Sequence, residues 1–280
     1  MSTGERLGIG SSAWIPANCT QARYQIPGEL MFGNAKPVWL PVQVISFEAD
    51  GKSAIFTLEW DPSIKIKAQI KDCVARENVE NIDDLSNLNN VSEASVMSQL
   101  CRRYVNHNFF TAIGRSTYIS LNPIHQLVRQ LGGHRNDAAQ MFMYLDKTTK
   151  QPSIYYIADK AYRSAVEDMM SETIVMRGCS GSGKTENLKH IVQYLFTADQ
   201  LSRTPRAVDF PTYEPLGTVF NPFMFVDTPF AKGTAAWLAV MDCFGSAQTE
   251  RNENSSRHTK LLRFHYGSGL KLLSCLFYIK

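Results

Sequence analysis

The sequence predicts a mixed α/β fold in which a small β-barrel precedes a larger α/β core. Three patterns support this prediction. Apolar and polar residues alternate in short runs between residues 38 and 70, as they do in half-buried strands. An apolar run at residues 172–178 predicts a short buried strand, and a glycine-rich turn follows it. A helical apolar stripe at residues 188–196 comes next, so strand and helix signals alternate along the chain.

The composition indicates a packed protein without a highly charged partner. Of the 280 residues, 44% are hydrophobic and 20% are charged, which favours a buried core over disorder. The formal net charge of +3 is too small to argue for binding to nucleic acid or to a membrane surface. The six cysteines lack metal-binding spacing, as expected for free thiols in a reducing compartment. With no signal peptide and no apolar run long enough for a bilayer, we expect a cytoplasmic protein.

The first part of the chain predicts a small barrel of three or four strands. Residues 38–47 and 54–60 are apolar or alternating runs, and Asp50-Gly51 between them is a hairpin turn signal. Residues 63–70 alternate again. Short strands at this spacing are typical of a small barrel. The polar, acidic stretch at residues 76–94 then predicts a linker.

Helices and short strands are predicted for the rest of the chain. A helix starts near Ser92, and two short strands flank Gly114. Apolar residues four apart, from Ile157 to Met169, predict a second helix at residues 155–170, and after the glycine-rich turn the stripe already described predicts a third. Residues 199–232 hold five of the twelve prolines and predict a surface loop. A helix at residues 235–244 should end at Gly245, and residues 272–280 could form a last strand.

The turn from Gly178 to Thr185 has the spacing of a loop that binds a chain of phosphates. In Gly-x-x-x-x-Gly-Lys-Thr, the glycines let backbone N–H groups converge on a phosphate without Cβ atoms in the way. Lys184 would place its ammonium on the β- and γ-phosphates, and the Thr185 hydroxyl would hold Mg²⁺. Because the turn lies between a predicted strand and a predicted helix, it predicts a nucleoside triphosphate site.

Hydrolysis requires a second element that senses the γ-phosphate, and the sequence offers two candidates. One is Asp227, which follows four apolar residues as in a Walker-B strand. The other is the serine segment, residues 251–266, which places two serines and an arginine before an alternating strand. We favour the serine segment because Pro222 and Pro229 bracket Asp227, and proline is unfavourable in a central strand.

Together these stretches resemble the myosin motor family over residues 30–267. The phosphate loop with its helix and the helix before it match that family, and residues 94–123 resemble the approach to its adenine pocket. The serine segment looks like switch I, here residues 252–259, followed by the next strand. The resemblance implies a leader at residues 1–29, an SH3-like β-barrel at residues 30–75 and an incomplete P-loop NTPase motor core at residues 76–280.

The resemblance also implies roles for matching residues. Lys184 would neutralise the β- and γ-phosphates, and Thr185 and Ser256 would be the two protein ligands of Mg²⁺. Ser255 would face the γ-phosphate and the attacking water, and Arg257 would pair with a glutamate of switch II. The residues implied to bind ATP are Asn122, Pro123, Gly178, Cys179, Ser180, Gly181, Ser182, Gly183, Lys184, Thr185, Glu186, Asn252, Ser255 and Ser256; among them, Asn122 and Pro123 would edge the adenine.

The sequence departs from the family pattern at three places. Cys179 stands where the family usually has glutamate, which removes a charge but keeps the backbone of the loop, so we expect binding to survive. His258 and Thr259 replace the usual Phe-Gly, which changes the flexibility expected of switch I. Gln130 stands where a tyrosine usually packs near the base, so we expect weak discrimination between ATP and GTP.

We therefore expect an ATP- and Mg²⁺-binding part of an actin-based motor, located in the cytoplasm and cytoskeleton. No switch II or actin-binding cleft follows switch I within the 280 residues, so we expect little ATP hydrolysis from this chain alone. The Asp-x-x-Gly string at residues 242–245 precedes switch I and predicts a helix end. Two alternatives stay open: a stand-alone P-loop ATP-binding protein that uses Asp227, and an incomplete gene product that is an interaction fragment.

Overall fold

A computed structural model describes residues 7–20, 25, 38–76, 82–123, 150–203, 229–250, 252–267 and 271–279. The chain divides into two compact units, residues 1–120 and residues 121–280. Both units contain helices and strands, which confirms the predicted mixed α/β class. Among the described residues, no helix is long and apolar enough to cross a membrane.

The first unit is built around a five-stranded antiparallel sheet. Its strands are β1 (Ser12–Pro16), β2 (Trp39–Phe47), β3 (Ser53–Leu58), β4 (Lys65–Gln69) and β5 (Val74–Ala75). They lie in the spatial order β4-β3-β2-β1-β5. Strands β2, β3 and β4 confirm the three runs predicted from the sequence, whereas β1 and β5 were not predicted. The alternating apolar residues of this sheet form the core of the unit, with Leu40, Val42, Phe56 and Leu58 fully buried.

The β2–β3 hairpin forms at the predicted Asp-Gly turn. The Asp50 carboxylate accepts hydrogen bonds from the backbone N–H groups of Lys52 at 2.8 Å and Ser53 at 2.9 Å. Gly51 has a φ of +61°, which residues with a side chain rarely adopt. The turn chemistry therefore fixes the register of the two strands.

The remainder of the first unit consists of α1 (Glu93–Val105), β6 (Phe110–Ile113) and β7 (Thr117–Ser120). Ser92 caps α1, since its hydroxyl accepts the backbone N–H of Ser95 at 3.1 Å, which confirms the predicted start. Strands β6 and β7 pair in antiparallel fashion on either side of Gly114, as predicted.

The second unit contains three helices and two strand pairs within its described residues. The helices are α2 (Ile154–Val166), α3 (Lys184–Arg203) and α4 (Pro229–Gly245). Strands β8 (Ser246–Thr249) and β9 (Asn252–Ser256) form one antiparallel pair, and β10 (Lys260–Tyr266) and β11 (Leu272–Ile279) form the other. The predicted end of a helix at Gly245 and the predicted last strand are both confirmed.

The core of the second unit joins α3 and α4 to the β10–β11 pair. Val192 and Phe196 of α3 cluster with Ala231 of α4 and with Leu272 of β11. Helix α2 packs against α3 through polar contacts as well. For example, the Tyr194 hydroxyl donates to the Asp159 carboxylate at 2.7 Å, and burial together with this bond raises the pKa of Tyr194. These contacts fix α3, whose first turn follows the predicted phosphate loop.

Three predictions for the second unit are wrong in part or whole. Residues 172–178 form no strand, and Val175 is 72% exposed, because no strand lies beside this apolar run among the described residues. Helix α2 ends at Val166, and Met169 beyond it has a φ of +56°. The predicted loop at residues 199–232 is helical at both ends, because Asp199 still belongs to α3 and α4 begins at Pro229; residues 204–228 lie outside the described residues.

Candidate nucleotide-binding site

The predicted phosphate loop is an irregular turn that leads directly into α3. Gly181 and Gly183 have φ values of +80° and +87°, a region in which a side chain strains the backbone. Space is also limited, since a Cβ atom at Gly178 would lie 2.6 Å from the Ser182 hydroxyl oxygen. The loop ends at Lys184, the first residue of the 20-residue helix α3, whose N-terminus carries partial positive charge.

The Lys184 side chain turns back onto this loop. Its Nζ donates to the carbonyl oxygens of Gly178 at 2.8 Å and Cys179 at 2.7 Å. The Ser182 hydroxyl oxygen lies 3.5 Å from the same nitrogen. Because these three oxygens match the three donors of an ammonium group, the cation is held beside the loop backbone. An anion bound by the loop would meet this charge directly.

The β8–β9 hairpin brings the predicted switch I to the predicted phosphate loop. Ser255 of β9 is 4% exposed and lies opposite Ala247 of β8. Its hydroxyl oxygen accepts a hydrogen bond of 2.9 Å from Ser180 of the loop. Asn252 Nδ2 donates to the same Ser180 oxygen at 3.0 Å. Two segments that are 75 residues apart in sequence are thus in direct contact.

Asn122 contacts the loop from a third segment of the chain. Its Nδ2 donates to the Gly181 carbonyl oxygen at 2.7 Å. A Cβ atom at Gly183 would lie 3.7 Å from the Asn122 side chain. The amide therefore braces the backbone of the loop, a contact that the sequence did not predict. The role of Asn122 and Pro123 at the edge of an adenine stays a prediction.

The remaining predicted residues lie nearby but in different surroundings. Thr185 is half-buried in the first turn of α3, whereas Ser256 is exposed at the end of β9. Arg257 is also exposed, and its backbone N–H donates to the Gly245 carbonyl at 2.9 Å. Glu186 accepts a hydrogen bond of 2.8 Å from Lys189. The roles implied for these side chains stay predictions.

Two sequence predictions lie outside the described residues. They concern Asp227, the alternative Walker-B acid, and Gln130, the residue expected near the base. Both stay predictions.

Sequence reasoning missed a group of residues beside the predicted switch I. The carboxylate of Asp242, near the end of α4, pairs with Lys260, the first residue of β10. The hairpin between α4 and β10 returns the chain on itself, so residues that precede and follow it become neighbours. A hairpin signal at residues 246–256 could have revealed this, but the turn there contains no Asn-Gly or Asp-Gly pair.

The family model and the curated relatives that match this chain agree on one family. The family model for the myosin head (motor domain) matches residues 82–278. Myosin-1 of Caenorhabditis elegans is 28% identical over 253 residues, which cover 87% of this chain and 12% of the relative. Myosin-1 of Arabidopsis thaliana is 28% identical over 268 residues, which cover 96% of this chain and 19% of the relative. The myosin IA heavy chain of Dictyostelium discoideum is 32% identical over 177 residues, or 63% of this chain and 15% of the relative. The chain thus spans less than a fifth of the length of these relatives.

Proposed function

The chain belongs to the myosin head (motor domain) family, and on this premise we propose that it binds ATP with Mg²⁺ through its phosphate loop and switch I, as one part of an actin-based motor. The observation that carries the proposal is the hydrogen bond between Ser180 of the loop and Ser255 of switch I. Two segments that the resemblance assigns to one site lie within hydrogen-bond distance. A ligand bound by the loop would therefore also touch switch I.

The loop is suited to a chain of phosphates. Its glycines adopt backbone conformations that residues with a side chain rarely adopt, and the Lys184 ammonium is held by oxygen atoms alone. Phosphate oxygens can replace these carbonyl oxygens and form stronger, charge-assisted hydrogen bonds. The N-terminus of α3 adds favourable partial charge at the same place.

The donor set also fits Mg²⁺. Thr185 and Ser256 offer hydroxyl oxygens, and hard divalent cations prefer oxygen ligands. Thr185 is the second residue of α3 and Ser256 ends β9, so a cation held by both residues would join the phosphate loop to switch I. When bound, Mg²⁺ would neutralise negative charge on the β- and γ-phosphates.

For hydrolysis, we propose that Ser255 and Asn252 orient the γ-phosphate and the attacking water. The Ser255 hydroxyl is buried, so its hydrogen bonds act where bulk water competes weakly. Arg257 is exposed and available to pair with a carboxylate of a complete motor. Because the chain spans less than a fifth of its relatives, hydrolysis and actin binding are proposed for a whole motor in the cytoplasm and cytoskeleton.

We further propose that the five-stranded sheet is an SH3-like barrel and that the second unit is the P-loop part of the motor core. The boundaries at residues 1–29, 30–75 and 76–280 stay predictions. Strand β1 (Ser12–Pro16) pairs with both β2 and β5, so the sheet includes residues from the predicted leader.

Titration calorimetry with Mg²⁺-ADP and Mg²⁺-ATP tests the site. Lys184→Ala should weaken binding about 10- to 150-fold, because hydrogen bonds to a charged group contribute about 1.5–3 kcal/mol. Lys271→Ala removes an exposed cation between β10 and β11 and is the matched control, with no expected change. Equal affinities for wild type and Lys184→Ala would refute the site. Asp227→Asn should also leave affinity unchanged, and a loss there would favour the Walker-B alternative.

A further inference from the structure

Residues 242–245, at the C-terminal end of α4, contact Arg257, His258 and Lys260, which follow the serines of switch I. We propose that Asp242 is a positioning residue that holds switch I against the phosphate loop through ion pairs with Lys260 and Lys189. The inference rests on the proposed nucleotide site, and it gives the Asp-x-x-Gly string a role that its position before switch I did not suggest.

The pair between Asp242 and Lys260 is well shielded from solvent. The Lys260 side chain is 5% exposed and that of Asp242 is 17% exposed. An ammonium group in such surroundings needs its counter-charge, because removing one partner leaves a buried charge uncompensated. Lys260 directly follows switch I, so this pair fixes the point at which switch I enters β10.

Asp242 also connects to the helix of the phosphate loop. Lys189 Nζ of α3 lies 3.8 Å from the second Asp242 oxygen. The same nitrogen donates to Glu186, in the first turn of α3, at 2.8 Å. Opposite charges therefore alternate from Glu186 through Lys189 and Asp242 to Lys260. This row of charges joins the start of α3 to the end of switch I.

Gly245 supplies a second anchor close to Asp242. Its carbonyl oxygen accepts the backbone N–H of Arg257 at 2.9 Å and lies 3.1 Å from His258 Nδ1. A carbonyl only accepts, so Nδ1 must carry the proton in this contact. The His258 ring occupies the place that a Cβ atom at position 245 would need, so the helix end and switch I pack closely.

The functional consequence concerns Mg²⁺. Thr185 lies on α3 and Ser256 on switch I, the two elements that Asp242 connects. If Asp242 sets their separation, its loss should reduce the gain in nucleotide affinity that Mg²⁺ provides. Binding in the absence of Mg²⁺ depends on Lys184 and the loop backbone, so it should change little.

The test measures the dissociation constant of ADP with EDTA and with Mg²⁺ and divides the first value by the second. In Asp242→Asn the ratio should fall about three- to tenfold, the upper limit corresponding to about 1.4 kcal/mol. Lys260→Met should lower the ratio by a similar factor. In the double variant the ratio should fall no further than in either single variant. Glu167→Gln removes the ion pair between Arg163 and Glu167 at the C-terminal end of α2 and should leave the ratio unchanged. Hydrogen exchange of residues 252–258 should accelerate in Asp242→Asn and not in the control.

The outcomes separate this inference from the proposed function. A merely structural role for Asp242 would lower the melting temperature and leave the ratio unchanged, and that result would overturn the inference. If Asp242→Asn does not fold, the ratio measured for Lys260→Met tests the inference instead. This variant removes the buried cation together with its need for a counter-charge. Wild-type protein without Lys184-dependent binding of ADP would overturn the proposed function, and with it this inference.

Discussion

Replacing Asn122 by alanine should weaken binding of every ligand that the phosphate loop holds, including ligands without a base. The Asn122 amide donates to the Gly181 carbonyl at 2.7 Å. This bond fixes the peptide between Gly181 and Ser182, and backbone N–H groups of the loop must be correctly oriented to bind phosphate. The contact is one neutral hydrogen bond, which contributes about 0.5–1.5 kcal/mol, so the expected loss of affinity is about 2- to 13-fold.

The assay compares Mg²⁺-ADP with Mg²⁺-pyrophosphate by titration calorimetry. Asn122→Ala should weaken both ligands by the same factor, because the Asn122 amide contacts the loop backbone and we propose that the loop holds only the phosphates. Pro123→Ala is the matched control, since the resemblance places Pro123 at the adenine edge alone; it should affect ADP and spare pyrophosphate. If Asn122→Ala weakens ADP and leaves pyrophosphate unchanged, Asn122 acts on the base and the argument from its contact with Gly181 fails.

Two further predictions concern pH and thiol chemistry. Hydrogen bonds from the backbone N–H groups of Gly114 and Ser86 lower the pKa of Asp84, so its carboxylate stabilises the fold above the ordinary aspartate range and this stabilisation is lost as pH falls. Asp84→Asn should therefore lower stability at neutral pH, and the difference in melting temperature between the variant and wild type should shrink as pH falls below about pH 4; a constant difference at all pH values would contradict this. Burial raises the pKa of Cys73 to about 12, whereas Cys179 is exposed in the loop. Maleimide at pH 7.5 should therefore label Cys179 at least about 100-fold faster than Cys73, as measured by peptide mass spectrometry. Comparable rates would show that the sheet of the first unit opens readily.

Local signals in the sequence predicted the elements that local chemistry determines. The Asp50-Gly51 turn and the Ser92 cap each act within three residues, so they can be read without knowledge of the fold. Strand β1 was missed because it depends on partners in β2 that lie more than twenty residues away. The run at residues 172–178 was assigned wrongly for the same reason, since its apolar residues become a buried strand only when neighbouring strands cover them.

The candidate site divides in the same way. The loop from Gly178 to Thr185 is encoded by contiguous residues, and its backbone has the conformation that its glycines permit. The contacts of Asn122 and Ser255 with this loop span 59 and 75 residues, so they follow from topology and not from any local pattern. The family resemblance brought these residues together in the prediction, because a family pattern carries topology that a single sequence does not display.

The structure also gives a physical basis for the departures from the family pattern. Cys179 supplies a backbone carbonyl to the Lys184 ammonium, while its own side chain is exposed. A change of side chain at that position therefore leaves the contact with Lys184 intact, which supports the expectation that binding survives without the usual glutamate. His258 is different, because its ring packs against Gly245 and its Nδ1 lies 3.1 Å from the Gly245 carbonyl. That contact is part of the second anchor, at Gly245 beside Asp242, so this departure lies where we propose that the position of switch I is set.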